Sequence, residues 1–166
     1  MPDLRPPSVI LPSRVVQGAK GAALVTTRAV EAGEVVARFA GEIVRFDAIS
    51  EAEMPYALWL DATRWMIPRS SARYINHACE PSCTVADRAE DPETFDVVAA
   101  RRLAAGEEIT FAYNLIAAAE WAAHGDDPLY HFWHPSWTFD CLCGAPTCQG
   151  RIDGYRVSRA PGGEDA

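Results

Sequence analysis

Three cysteines lie close together near the C-terminus, in the run Cys-Leu-Cys-Gly-Ala-Pro-Thr-Cys at residues 141–148. A segment this short cannot bury a core of its own, so clustered thiols favour a bound metal ion. Structural zinc prefers four tetrahedral ligands, and the fourth must come from elsewhere in the chain. Cys79 is the first candidate. Two alternatives stay open: His134 is the fourth ligand, or the tail thiols are free.

A second polar cluster follows an apolar pair in the run Arg-Tyr-Ile-Asn-His-Ala-Cys-Glu-Pro-Ser-Cys at residues 73–83. Asn76 and His77 together offer amide and imidazole groups, which suit the edge of a heterocycle. Taken alone, the same residues fit a turn capped by Asn76 and a hydrogen-bonded core histidine. The distant thiol run makes a functional site the better interpretation, with Cys79 as the candidate ligand.

A third run, Gly-Glu-Glu-Ile-Thr-Phe-Ala-Tyr-Asn, occupies residues 106–114. In this order, the three motifs resemble SET-domain protein lysine methyltransferases that carry a post-SET zinc-binding tail. The likeness extends over residues 20–154 and includes a weaker match to the family's N-terminal cofactor loop at residues 20–24. It implies a mostly β protein with the SET fold, in which small curved β-sheets and a knot-like C-terminal threading accompany short helices and a zinc-tethered tail.

The resemblance also divides the chain into segments. It predicts an N-terminal extension (1–13), a SET core (14–114), a helical and aromatic linker (115–137), a zinc tail (138–155) and a flexible C-terminus (156–166). From propensity and turn residues we expect strands over residues 22–27, 35–39, 84–86, 95–100 and 107–113, a hairpin of residues 56–60 with 65–68, and a helix over residues 115–124. The aromatic linker is interpreted either as packing or as a wall over the substrate or cofactor cleft.

The implied reaction is transfer of a methyl group from S-adenosylmethionine to the side-chain amine of lysine in a protein substrate. Carried over position by position, the resemblance assigns zinc to Cys79, Cys141, Cys143 and Cys148. It assigns the cofactor to Lys20, Gly21, Ala22, Ala23, Arg73, Asn76, His77 and Leu142. Arg73 is equally interpreted as one half of a salt bridge.

Three aromatic residues are implied at the reacting centre. Tyr113 matches the family's catalytic tyrosine, and its ordinary pKa of about 10 favours positioning and electrostatic roles over that of a resting general base. Tyr56 would line the lysine channel with Phe111 beside it. In the family, the position of Phe111 tends to be Phe or Tyr, and phenylalanine leaves room for an amine that already carries a methyl group. We therefore expect di- or trimethyl-lysine as the product.

The chain departs from the family pattern at Ala23, where a second glycine is usual, and at Ala78 and Ser82, where serine and asparagine are usual. These changes keep open a non-catalytic module that retains the SET fold and zinc but only binds protein. Retention of Tyr113, Asn76 and His77 favours the enzyme. A small zinc-binding nucleic-acid module is disfavoured because the chain has no basic stripe.

Composition restricts the partners. A net charge of -8 over 166 residues argues against tight binding to a nucleic-acid backbone and fits a basic peptide or protein as substrate. The sequence shows no transmembrane segment and no secretory signal, so we expect no membrane partner and a cytosolic location. Five cysteines in such a chain favour thiolate or metal chemistry over disulfides. The oligomeric state and the identity of the substrate are not predicted.

Overall fold

The computed structural model describes residues 10–18 and 21–158 of the chain. In this part β-strands predominate, and α1 (Ala118–His124) is the one α-helix. The strands are β1 (Ser13–Gly18), β2 (Gly21–Thr26), β3 (Val35–Phe39), β4 (Gly41–Val44), β5 (Leu58–Trp59), β6 (Trp65–Pro68), β7 (Asn76–His77), β8 (Cys83–Asp87), β9 (Phe95–Ala99), β10 (Thr110–Phe111), β11 (Leu115–Ile116), β12 (Phe139–Asp140), β13 (Arg151–Ile152) and β14 (Arg156–Val157). Short 3₁₀ helices cover Phe46–Ala48, Met54–Tyr56, Ser71–Tyr74, Pro128–His131 and Pro135–Trp137.

The strands form several small sheets rather than one large one. Two antiparallel sheets have three strands each, in the orders β3-β9-β8 and β4-β6-β5. The β1-β2 pair and the β12-β13 pair are also antiparallel. Tight connections join many of these neighbours, and short hairpins of this kind are what alternating β-branched residues and turn glycines favour.

Two parallel pairings bring together segments that are far apart in the chain. β7 pairs with β10, so that Asn76 lies opposite Thr110 and His77 lies opposite Phe111. β11 pairs with β14 in the same sense. The first pairing places the residues around Asn76 beside the strand that leads to Tyr113, and it therefore builds the candidate site.

The hydrophobic core gathers side chains from most of these small sheets. Leu24, Val36, Met66, Val97 and Ile109 are all fully buried. Full burial of one such side chain contributes about 1.5–3 kcal/mol to folding. The core thus anchors β2, β3, β6 and β9 and the approach to β10, which fixes the strands that carry the site.

The structure corrects the predicted helix over residues 115–124. The helix begins at Ala118, because Leu115 and Ile116 form a strand against Arg156 and Val157. That partner strand, Arg156–Val157, lies in the segment predicted to be a flexible C-terminus. Strand pairing over this long sequence separation outweighs local helix propensity.

Two further predictions meet the structure only in part. The strand predicted over residues 107–113 is restricted to Thr110–Phe111. The predicted N-terminal extension lies mostly outside the described residues, although its last residue, Ser13, begins β1. None of the helices in the described part of the chain has the length and hydropathy that a membrane span requires.

Candidate active site

The four predicted metal ligands meet at one point. The Sγ atoms of Cys79, Cys141, Cys143 and Cys148 all lie within 4.8 Å of one another. The Sγ atoms of Cys79 and Cys141 are 3.8 Å apart, and the backbone N–H of Cys79 donates to Sγ of Cys143 at 3.5 Å. Outside the cluster, the carboxylate of Glu80 accepts a 2.7 Å hydrogen bond from the Thr147 hydroxyl. The tail is therefore held against the segment that follows β7.

The chemistry of this donor set fits zinc. The N–H of Cys79 stabilises the Cys143 thiolate and lowers its pKa to about 6, while burial raises the pKa of Cys141 to about 12. A bound cation would remove that second penalty, since a coordinated thiol is deprotonated outright. Four clustered thiols are the ligand set of a closed structural zinc site.

The alternative fourth ligand lies elsewhere. His134 caps a 3₁₀ helix, where Nδ1 lies 2.7 Å from Oγ of Ser136 and accepts the N–H of the same residue. Cys83 is buried at the start of β8, and burial raises the pKa of its thiol. Neither residue belongs to the group of four thiols.

Asn76 and His77 connect the thiol cluster to the rest of the site. The amide nitrogen of Asn76 donates to the Glu108 carboxylate at 2.8 Å and to the carbonyl of Ala22 at 3.3 Å. Nδ1 of His77 accepts the backbone N–H of Tyr113 at 2.9 Å, which places the ring proton on Nε2, 3.4 Å from Sγ of Cys79. Burial, aided by the charge of Arg156, lowers the pKa of His77 to about 4, so the ring is neutral.

The predicted cofactor loop lies beside Asn76. Gly21 has a φ of 96°, a left-handed conformation that favours glycine, and a Cβ added there would meet nothing within 4 Å. Ala23 is not among the described residues with positive φ, so its side chain causes no backbone strain. Leu142 is 71% exposed between two of the cysteines. Lys20 lies outside the described residues.

Tyr113, Phe111 and Tyr56 line one groove of about 680 Å³. The rings of Phe111 and Tyr113 are 4.8 Å apart, and the Tyr113 hydroxyl donates to the carbonyl of Ile75. Burial raises the pKa of Tyr113 well above its ordinary value, with a smaller contribution from nearby Tyr56 and Glu108. The hydroxyl is therefore a neutral, fixed hydrogen-bonding group in an apolar cavity.

Arg73 lies on the wall of this groove. Its guanidinium carbon is 4.6 Å from the centroid of the Tyr56 ring and 5.8 Å from that of Tyr74. The structure thus groups Arg73 with Tyr56, and the predicted cofactor role of Arg73 stays a prediction. A cation over aromatic faces orients both partners.

Much of the groove wall comes from the segment after Tyr113, where the sequence indicated no individual site residue. Trp137 is 7% exposed, stacks on Trp65 at 5.7 Å between ring centroids, and donates from Nε1 to the carbonyl of Met54 at 3.0 Å. Phe132, Tyr130 and Glu120 line the same groove. Of the two interpretations of the aromatic linker, the geometry favours the wall.

Ser82 is a positioning residue that the sequence did not reveal. Its buried hydroxyl donates to the carbonyl of Glu108 at 3.0 Å and accepts the N–H of Thr110 at 2.9 Å. Its own N–H donates to the Thr110 hydroxyl at 2.9 Å. Ser82 therefore ties the central motif to β10, where the family pattern has an asparagine.

Comparison with known proteins decides the family. The profile of the SET domain matches residues 21–114, which is more than half of the chain and contains β2 to β10. The chain belongs to the SET-domain family. Its mostly β architecture of small sheets agrees with the SET fold.

The SET domain of this chain is similar to regions of several histone-lysine N-methyltransferases. It is 28% identical over 140 residues to an H3 lysine-4 specific enzyme of Yarrowia lipolytica, covering 75% of this chain and 10% of that protein. Identity to trithorax of Drosophila virilis is 34% over 110 residues, covering 57% of this chain and 3% of that protein. Identity to an H3 lysine-36 specific enzyme of Mycosarcoma maydis is 30% over 108 residues, covering 64% and 9% respectively. The chain thus spans a small part of each relative.

Proposed function

We propose that this SET domain transfers a methyl group from S-adenosylmethionine to the side-chain amine of a lysine in a protein substrate. The observation that carries the proposal is the placement of the Tyr113 hydroxyl, which is fixed by the carbonyl of Ile75 inside the aromatic groove. The same tyrosine is bonded through its backbone N–H to His77, on the strand proposed to hold the cofactor. One residue thus joins the two proposed sites.

When bound, S-adenosylmethionine supplies an electrophilic methyl group on a sulfonium. Gly21, Ala22, Ala23, Asn76, His77 and Leu142 would hold the cofactor. The proposed set also includes Arg73, which contacts Tyr56, and Lys20, which lies outside the described residues.

The protein acts on the lysine mainly by alignment. An amine attacks with its lone pair, so the lysine ammonium must lose a proton to the solvent before transfer. The apolar groove around Tyr56 and Phe111 favours the neutral amine, because burial disfavours a charge. The oxygen of Tyr113 and the carbonyl of Ile75 can then orient the amine and stabilise the positive charge that develops on it.

The four-cysteine site has a structural role in this proposal. Cys79, Cys141, Cys143 and Cys148 would hold a zinc ion, which would tie the tail to the segment after β7. His77 supports the site by directing its Nε2–H at Sγ of Cys79. Metal loss is therefore expected to weaken cofactor binding.

The proposed substrate is a basic, lysine-containing protein segment. The chain is acidic overall, and the groove is open and largely aromatic. The relatives are named for histone lysines, and we extend that substrate class to this chain as part of the proposal. Phe111 leaves the groove without a second tyrosine hydroxyl at that position, which favours di- or trimethylation. A cytosolic location is a separate proposal that rests on the sequence alone.

The test is to incubate the purified protein with isotopically labelled S-adenosylmethionine and a protein extract, and to identify labelled residues by mass spectrometry. We expect label on lysine Nζ atoms that is absent when the protein is omitted. Cofactor binding without any labelled lysine would instead support the non-catalytic binding module.

A further inference from the structure

The groove that contains Tyr113 also contains one carboxylate. Among the described residues that line the groove, Arg73 and Glu120 are the charged ones, and the others are mostly aromatic or aliphatic. Glu120 comes from the first turn of α1, beyond the residues that match the SET profile. It is thus a feature of this chain's own groove wall.

Glu120 is held in place from one side. The Tyr130 hydroxyl donates to its Oε1 at 2.9 Å, and no hydrogen bond from the described residues reaches Oε2. Within the ranges 10–18 and 21–158, no arginine, lysine or histidine forms an ion pair with Glu120. The carboxylate is therefore oriented, half-buried and able to accept a charged donor.

The surface beside Glu120 suits the stem of a long cationic side chain. The rings of Trp59 and Tyr130 meet edge to face, 5.6 Å apart, and Trp59 is 40% exposed. Both rings line the groove. Arginine and lysine side chains place methylene stems on such rings and send their charge beyond them, and aromatic faces attract the cation as well.

Arg73, the other charged residue of the groove, favours one orientation of a bound basic peptide. Arg73 lies against Tyr56, on the part of the wall proposed to receive the target lysine. A second cation of the substrate is repelled by Arg73 and attracted by Glu120, so opposite charges favour one placement of a basic peptide. Burial, together with the bond to Glu120, raises the pKa of Tyr130 to about 12, which keeps the tyrosine a donor.

We propose that Glu120 is a specificity-determining residue that binds a cationic side chain, preferably arginine, flanking the target lysine. This inference rests on the proposed function for the identity of the groove as a substrate site. Arginine is preferred because its guanidinium can form two parallel hydrogen bonds with a carboxylate and can stack on Trp59.

The experiment uses short peptides with one central lysine and a single arginine moved through the flanking positions, each paired with a peptide that has glutamine there. Binding is measured by fluorescence anisotropy and methyl transfer by mass spectrometry, both on the full chain. We expect one arginine position to strengthen binding about tenfold over its glutamine partner, as one charged hydrogen-bonded pair typically does. Added salt should reduce the difference.

Glu120→Gln keeps the shape of the side chain and removes its charge, so it should lose most of the arginine preference, measured as the ratio of affinities for each arginine peptide and its glutamine partner. Asp126→Asn is the matched control, because Asp126 is an exposed acid of the same segment that does not line the groove. It should keep the preference. Tyr130→Phe should give an intermediate loss, because it frees the carboxylate without removing it.

The outcomes separate the two proposals. A preference that is absent in the wild type, or retained by Glu120→Gln, overturns the role of Glu120. A preference that is lost equally in Asp126→Asn would come from general surface charge, and this result also overturns the role of Glu120. Arginine-dependent binding without methylation of any peptide supports the role of Glu120 while contradicting the proposed methyl transfer.

Discussion

The cysteine-rich tail and the part of the groove wall formed by the aromatic linker both follow the SET match in the chain, yet their sequences differ sharply in what they indicate. The tail indicates its ligands through its sequence, because three closely spaced thiols that meet a fourth, Cys79, have few uses other than binding a metal ion. The wall consists of tryptophans, tyrosines and alanines, and these residue types are compatible with many packing arrangements. Metal ligands can therefore be inferred from a short stretch of sequence, whereas the role of an apolar surface depends on which distant residues pack against it.

The largest effect should come from breaking the tail. Cys143→Ser together with Cys148→Ser removes two of the four thiols, so we expect metal content to fall from about one ion per chain to near zero. The tail should then lose its order, because it has no core of its own. Elemental analysis and proteolysis of residues 138–158 measure both changes.

Cys83→Ser is the matched control for the metal, since Cys83 is buried away from the cluster. It should keep full metal content even if it lowers stability. Metal retained in the double variant would mean that the four thiols are not the ligands.

Substitutions in the groove wall should lower the stability of the fold rather than the metal content. Trp137→Ala removes a ring that is 7% exposed and a hydrogen bond to Met54, and we expect a loss of about 3–5 kcal/mol in the free energy of unfolding. Trp59→Ala, at a ring that is 40% exposed, should cost much less. Denaturant unfolding of both variants tests this; equal losses would show that the wall is not selectively packed around Trp137.

A smaller effect is expected at Asn76, in the proposed cofactor site between the tail and the groove. Asn76→Ala removes an amide that bonds Glu108 and Ala22, and we expect S-adenosylmethionine affinity to fall about tenfold. Calorimetry on folded, metal-loaded protein measures it, with the thermal midpoint of each sample as the control. An unchanged affinity would remove Asn76 from the proposed site.

The smallest expected effect concerns product distribution. Phe111→Tyr adds one hydroxyl beside the Tyr113 ring, 4.8 Å away between centroids, and should hold the amine or a water there. We expect the ratio of dimethyl- to monomethyl-lysine to fall about tenfold, the discrimination that one small group gives in a pocket. Mass spectrometry at long reaction times measures the ratio. A wild type that stops at monomethyl-lysine would show that Phe111 does not set the limit.

Local patterns in the sequence predicted much of the antiparallel structure. The hairpin of residues 56–60 with 65–68 and the paired strands near residues 84–86 and 95–100 are confirmed, with small shifts at their ends. These elements pair with near neighbours, and alternation with turn residues encodes such pairing directly. The four-thiol cluster could be predicted for a similar reason, because metal binding follows from the residue type and the close spacing of the cysteines.

The parallel pairings and the wall could not be predicted in this way. Leu115 and Ile116 form a strand only because Arg156 and Val157 return to them, and no local signal indicates that return. Arg73 reaches Tyr56 through the turn of a 3₁₀ helix that the sequence did not indicate. Glu120 belongs to no motif, and its place in the groove depends on Tyr130 and the fold around it.

The most direct test of the central claim is the rate of methyl transfer by wild type and Tyr113→Phe in a single turnover, on a lysine substrate identified by extract labelling. Only a hydroxyl at the proposed reacting centre is removed, so cofactor affinity, measured on the same samples, should stay unchanged. The transfer rate should fall about 100-fold, as it does when one positioned polar group is lost from an active site. An unchanged rate with unchanged affinity would contradict the assignment of this groove as the site of methyl transfer.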